Sequence, residues 1–275
     1  MQKKYVLSVI SFLLSTSIFA GGNEPVTSLS AGGASNNTYG KGGAISFRLK
    51  NPSDHKIDLR VNLIGLNDKN QTSRGIADAK FMYGFPVGEH GYFGGNLQLG
   101  STPLMQAGGL GLSYSREGDV NTINVDLNYL VANQTVLSAD SRPTISAPNL
   151  TLEMEQRLDG TRNKDALVLT ESATIGGLTL NQSTFIPGFS TGTFYDETED
   201  KMMNGSYSKL SLGIQKSLGQ RVALRFEVIN ETVDPKYEQT NTYSIAGYPI
   251  GQIHKQESGK KSNTTGLATL VIKLN

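Results

Sequence analysis

The stretch from Ser208 to Asn230, SKLSLGIQKSLGQRVALRFEVIN, constrains the fold more than any other part of the chain. Leu210, Leu212 and Ile214 fall on one face of an extended strand, with Ser211, Gly213 and Gln215 on the other. Leu218-Gly219-Gln220 forms a short turn. Beyond it Val222, Leu224, Phe226 and Val228 alternate with Ala223, Arg225 and Glu227. Strict period-two alternation on both sides of a tight turn is the signature of a β-hairpin. One face carries charges and does not belong in a dry core. The other is too regularly apolar to be left in water. A closed barrel in a membrane satisfies both, with hydrocarbon outside and a polar interior within.

The rest of the chain fits an exported protein. It opens MQKKYVLSVISFLLSTSIFA: Lys3 and Lys4 are basic, Tyr5 to Leu14 is apolar, and Ser15 to Ala20 is small and weakly polar. This pattern predicts a signal peptide over residues 1–20, cut after Ala20, with residues 21–275 as one domain. The apolar run is shorter than the ~20 residues of a spanning helix. A mean hydropathy of −0.27 is compatible with a barrel, since only alternate residues meet lipid. With no cysteine, the exported fold does without disulfides. A net charge of +1 argues against nucleic acid as a partner. No motif for a metal or cofactor is present, and none is expected to bind.

Twelve strands are predicted, at about 26–34, 43–50, 57–66, 76–85, 92–100, 108–116, 122–131, 149–158, 165–175, 207–217, 221–231 and 264–274. Most approach the ~9–11 residues that cross a bilayer at a tilt. The outward rows include Ile45, Phe47 and Leu49; Leu97 and Leu99; Leu127 and Tyr129; and Leu270, Ile272 and Leu274. Glu171 falls on the lipid face in this register, which points to a different start or a slip of its strand. The long connections, 132–148, 176–206 and 232–263, all follow odd-numbered strands, and those after even-numbered strands are short. All nine prolines fall outside the predicted strands, as a sheet without edges requires. Tyr83, Phe85, Phe93 and Tyr114 sit beside the short turns, where an inner aromatic girdle belongs.

With these features the chain resembles the bacterial outer-membrane β-barrel proteins, in the broad porin-like sense. Its end, TTGLATLVIKLN, resembles their C-terminal insertion strand, with Asn275 where an aromatic residue is usual. The resemblance implies a closed antiparallel up-and-down transmembrane barrel in the outer membrane. It also implies contact with outer-membrane lipid and lipopolysaccharide, and delivery by the barrel-assembly machinery. The function expected is a small porin-like channel for small polar solutes, or a structural membrane protein.

The inward face would carry Arg48, Lys50, Asp58, Arg60, Asp78, Lys80, Asp126, Glu153, Glu155, Arg225, Glu227 and Lys273. Six are basic and six acidic, a balance that suggests neighbouring ion pairs filling a narrow lumen rather than a one-signed selectivity ring. Arg60, Lys80, Asp126, Glu153, Arg225 and Glu227 are the lumen-lining candidates. Two other functions are compatible with alternation: a soluble exported β-sandwich or adhesin, and a barrel enzyme acting on membrane lipid. The second would call on His254, near Ser258; His55 and His90 lie in inner turns. The four carboxylates of Asp196 to Asp200 and the basic run Lys255 to Lys261 read as solvated loops. The glycine-rich pieces GGNLQLG and GGLGLSYS read as close-packed barrel positions.

Overall fold

The computed structural model describes residues 26–51, 55–68, 73–117, 121–138, 145–157, 166–174, 180–190, 193–219 and 221–274. The expected signal peptide lies outside them. The strands in chain order are β1 (Val26–Asn36), β2 (Gly40–Asn51), β3 (Lys56–Asn67), β4 (Ser73–Val87) and β5 (Gly91–Ser101). Next come β6 (Met105–Glu117), β7 (Asn121–Gln134), β8 (Ile145–Arg157), β9 (Ala166–Thr174) and β10 (Leu180–Ser190). The last are β11 (Thr193–Ser217), β12 (Val222–Ile245), β13 (Tyr248–Ser258) and β14 (Lys261–Lys273).

Twelve of these strands close a ring. β1 to β9 pair each with the next, β9 pairs with β11, β11 with β12, and β12 with β14. β14 returns to β1 through nine partners from Ser28↔Lys273 to Asn36↔Thr265. Every pairing is antiparallel. The twelve correspond to the twelve predicted strands, most with ends within a few residues of those expected; β11 and β12 run well past theirs. Closure removes the open two-layer sandwich from consideration, because the ring has no free edge. The hairpin at the start of the sequence argument is in register, with Leu212 opposite Val228 and Ile214 opposite Phe226.

Two predicted loops are strands instead. The segments 176–206 and 232–263 contain β10, the outer half of β11, the outer half of β12, and β13. Past Ser208, β11 leaves β9; past Val233, β12 leaves β14. The two stay paired with each other out to Asp196↔Ser244, and take β10 and β13 as new outer neighbours. A four-stranded sheet, β10-β11-β12-β13, therefore continues past the ring. Its sequence gives no period-two signal because Thr, Asn, Gln and Glu occupy both faces. The acidic segment Asp196 to Asp200 is part of β11, not a loop.

Prolines enter strands after all, and the reason is local. Pro86 pairs with Tyr92 beyond the last β3 partner of β4, Gly84. Pro148 pairs with Tyr129 just before the first β9 partner of β8, Asn149. Pro187 and Pro249 lie on the edge strands β10 and β13. Pro235 sits where β12 exchanges β14 for β13, and its carbonyl accepts from the Gly259 N–H at 3.2 Å. A strand residue's N–H and C=O point the same way, so the missing donor of Pro235 faces that gap. Each of these five prolines stands where a strand has a neighbour on one side only.

No slip occurs at Glu171. Its backbone pairs with Leu152 and Leu210, in the register the sequence has. The next partner of Leu210 is Asn230, and that of Asn230 is Thr264, so the row turns polar here. The β9–β11 ladder ends two positions further at Ala173. A carboxylate near the rim costs much less than one at the midplane.

A charge on the lipid face of the ring should therefore be costly where one on the outer sheet is not. Leu212→Arg is expected to destabilise the barrel by about 2–4 kcal/mol, and Gln252→Arg by no more than about 0.5 kcal/mol. Denaturant unfolding of both variants in lipid vesicles checks this.

Candidate functional site

The ring turns its polarity inside out. Leu110, Leu127 and Val228 point outward and are 69%, 54% and 53% exposed, while Lys56 and Asp126 point inward and are fully buried. Ser113, Ser115, Asn124, Asn128 and Thr151 are buried with them. Phe47, outward by register between Leu29 and Val61, is the covered exception. Phe85, Phe93 and Tyr114 form a cross-strand row near the inner turns, exposed on three adjacent strands. His55 packs against Tyr83 and Phe85 there, with ring centroids 5.7 and 5.3 Å away. Apolar outside, charged inside and closed by its own ladder is an arrangement stable in hydrocarbon and not in water. The chain is a membrane-spanning barrel of the outer-membrane type.

Inside the barrel, ion pairs bridge the lumen. Arg60 on β3 donates to Asp58 at 2.9 Å on its own strand and to Glu153 of β8 at 2.8 Å. β3 and β8 are five places apart around the ring, so this contact spans the interior. Arg48 of β2 shares Asp58 at 3.1 Å. Lys80 of β4 pairs with Asp126 of β7 and reaches Glu153 at 3.5 Å. Asp126 also accepts from Ser113, and Glu153 from Asn124 at 3.2 Å. Lys209 of β11 lies 3.5 Å from Asp78 of β4, on the opposite wall. Nearer the inner turns, the Lys56 ammonium donates to Ser115 at 2.5 Å. The sequence pattern makes this network possible: period-two alternation delivers every one of these side chains to the same enclosed space.

The outer mouth is crossed by contacts of different chemistry. The turn from β5 to β6 places Leu104 and Met105 against Val233 of β12, all three buried. The segment after β7 places Leu137 against Tyr237. Thr102 donates to Glu231 at 3.0 Å, and Ser138 donates to Glu257 of β13 through its N–H at 2.6 Å and its hydroxyl at 2.7 Å. A cavity of about 550 Å³ runs from below this cap past the ion bridges, and is lined toward the inner end by Lys50, Thr122 and Lys273.

Five of the lumen candidates border that cavity: Arg60, Lys80, Glu153, Arg225 and Glu227. Asp126 lies buried behind Lys80. Arg225 and Glu227 pair with each other at 2.9 Å on β12, apart from the β3–β4–β7–β8 bridge. Sequence reasoning passed over Lys209 and Glu231, although both keep the inward phase of Ser211 and Glu227. It had no signal for Thr102 or Leu104, which lie in a turn without periodicity. His254 lies on β13, not in a loop, and its Nδ1 is 2.9 Å from the Thr240 hydroxyl; Ser258 pairs with Lys236, four positions along.

No family model matches the chain, and no curated protein matches it. Among solved structures it is similar to the CymD monoaromatic hydrocarbon channel, at 10% identity over 91% of this chain and 88% of that one, with a TM-score of 0.38. It is similar to the toluene transporter TodX of Pseudomonas putida, at 10% identity over 94% and 90%, with a TM-score of 0.39. It is also similar to the outer membrane protease OmpT of Escherichia coli, at 10% identity over 94% and 100%, with a TM-score of 0.38.

Removing one member of the bridge leaves buried charge unmatched. Glu153→Gln is expected to cost about 3 kcal/mol, because both Arg60 and Lys80 lose a carboxylate. Adding Arg60→Gln should recover part of that loss, read as a rise in the unfolding midpoint of the double variant over the single one.

Proposed function

We propose that the chain is a small porin-like channel of the outer membrane, narrow and closed to free diffusion in this conformation. The observation that carries this reading is the enclosed, charged lumen with its 550 Å³ cavity, bridged on one side by Arg60–Glu153 and Lys80–Asp126 and capped at the outer mouth. A barrel serving only as a membrane scaffold needs no such space. Balanced charge along the bridge favours small polar solutes over ions of one sign. The bridge is the restriction and the cap is the gate.

The surroundings follow from the same reading. The outward apolar rows face membrane lipid, with lipopolysaccharide around the outer rim. β14, with Ala268, Leu270 and Ile272 outward, is the strand offered to the barrel-assembly machinery. No step of this reading is enzymatic, and none of the three histidines is called on.

The test is electrical. Refolded protein should migrate faster on gels unheated than heated, and give discrete low-conductance openings in a planar bilayer. Replacing Arg60 and Glu153 together by Ser should raise the unit conductance severalfold. A correctly shifted, folded barrel that passes no current would leave a structural membrane protein and end the channel reading.

A further inference from the structure

We propose that the outer part of the cavity binds a neutral polyhydroxylated solute, a small sugar or sugar alcohol. This rests on the channel reading and names the class of solute for its lumen. The site is one inward row across three strands. Lys209 of β11 is the direct partner of Glu231 on β12, and Glu231 that of Asn263 on β14. All three border the cavity. Directly opposed residues on neighbouring strands stand about 4.5–5.5 Å apart at Cβ. Lys209 is therefore the natural ion-pair partner of Glu231, yet its ammonium turns across the lumen to Asp78 of β4 at 3.5 Å.

Glu231 is left under-matched. It is buried, and it forms no ion pair among the described residues. Its hydrogen bond comes from the Thr102 hydroxyl at 3.0 Å, which also lies 3.3 Å from the Met105 carbonyl. Asn263 beside it is buried too, and its Nδ2 donates to no acceptor. A buried donor left unmade is costly, and a carboxylate accepts on both oxygens. Spare acceptor and idle donor thus stand side by side on the cavity wall. The row selects its ligand by exclusion. An anion meets the Glu231 carboxylate. An amine gives protons to Glu231 but nothing to Asn263, and stands beside Lys209. A zwitterion is matched only if Lys209 leaves Asp78, whose other side-chain partner is Asn62 at 2.5 Å. A hydroxyl both donates and accepts, so two neighbouring hydroxyls satisfy Glu231 and Asn263 with no ion pair broken. Tyr207, Ile229 and Leu267 border the same part and offer apolar surface to the C–H face of a sugar ring. Ser211, Thr265 and Thr269 carry hydroxyls onward along the wall toward the inner end. The volume is within the range of about 300–1,000 Å³ typical of small-ligand sites.

Methyl α-D-glucopyranoside is the probe, followed by saturation-transfer NMR on protein in lipid nanodiscs, with empty nanodiscs as the blank. Its transfer is expected to saturate in the millimolar range. Glycine betaine, tetramethylammonium and acetate should neither saturate nor displace it. Asn263→Leu is the decisive variant. It removes an amide whose donor is idle, so the unfolding midpoint should hold or rise while the glucoside weakens at least tenfold; a merely structural Asn263 would lower the midpoint. Glu231→Gln keeps the shape and should also weaken the glucoside. Heat-shifted gel mobility confirms that each variant is folded. Saturable betaine binding that displaces the glucoside overturns the class of ligand. Equal glucoside binding by the native protein and both variants overturns the site. Glucoside binding without current would keep this site and remove the channel. Current without glucoside binding would keep the channel and remove this site.

Discussion

A peptide group in hydrocarbon has no water to pair with, and that one fact organises the molecule. Each N–H and C=O in the bilayer must find a partner in the protein, at a penalty of several kcal/mol for each that does not. A sheet can meet this only by joining its first strand to its last. Here the joint is β1 with β14, where Ser28 meets Lys273. Once the ring is shut, each strand has one face toward lipid and one toward the interior. The alternation of the sequence is the chemical image of that geometry. The five prolines within the described strands obey the same rule, each at a site where its strand lacks a neighbour on one side.

Closure also decides what the interior can contain. Twelve strands leave a space narrow enough for Arg60 to touch Glu153 five places away, and for Lys209 to approach Asp78 on the facing wall. Some inward positions admit no side chain at all. A Cβ on Gly94 would fall on the Tyr83 carbonyl, and one on Gly111 on the Leu127 carbonyl. The glycine-rich segments of β5 and β6 therefore mark where neighbouring backbone presses inward. The charges inside are buried together. Their mutual pairing offsets the loss of water, and the same pairing narrows the passage.

The ring was legible because its signal is physical and local. Leu210 and Phe226 must face lipid, and Ser211 and Arg225 must not. Parity then brought Arg60, Lys80, Asp126 and Glu153 to one interior without knowledge of which would touch. Their partners were not legible, since contact across the lumen depends on the stagger of the strands and not on spacing along the chain. Lys209 and Glu231 were within reach of the same parity rule and lie near the ends of the predicted strands. Thr102 and Leu104 were beyond it. The outer sheet escaped for a different reason: its strands carry polar residues such as Thr240 and Gln252 on both alternations, so no period-two apolar signal is written into them.

β11 and β12 pass from the inner turn through the bilayer and on into the outer sheet as one uninterrupted ribbon. At ~3.3 Å per residue, that ribbon runs ~40 Å along its strands past its last ring pairings. Tyr237 and Glu257, which hold the cap segment, are fixed to it above the membrane, and Lys209 and Glu231 are fixed to it below. It is a mast whose foot is set in the barrel wall. One continuous ladder, from Asp196↔Ser244 to Ser217↔Ala223, therefore joins its head to the groups at the mouth.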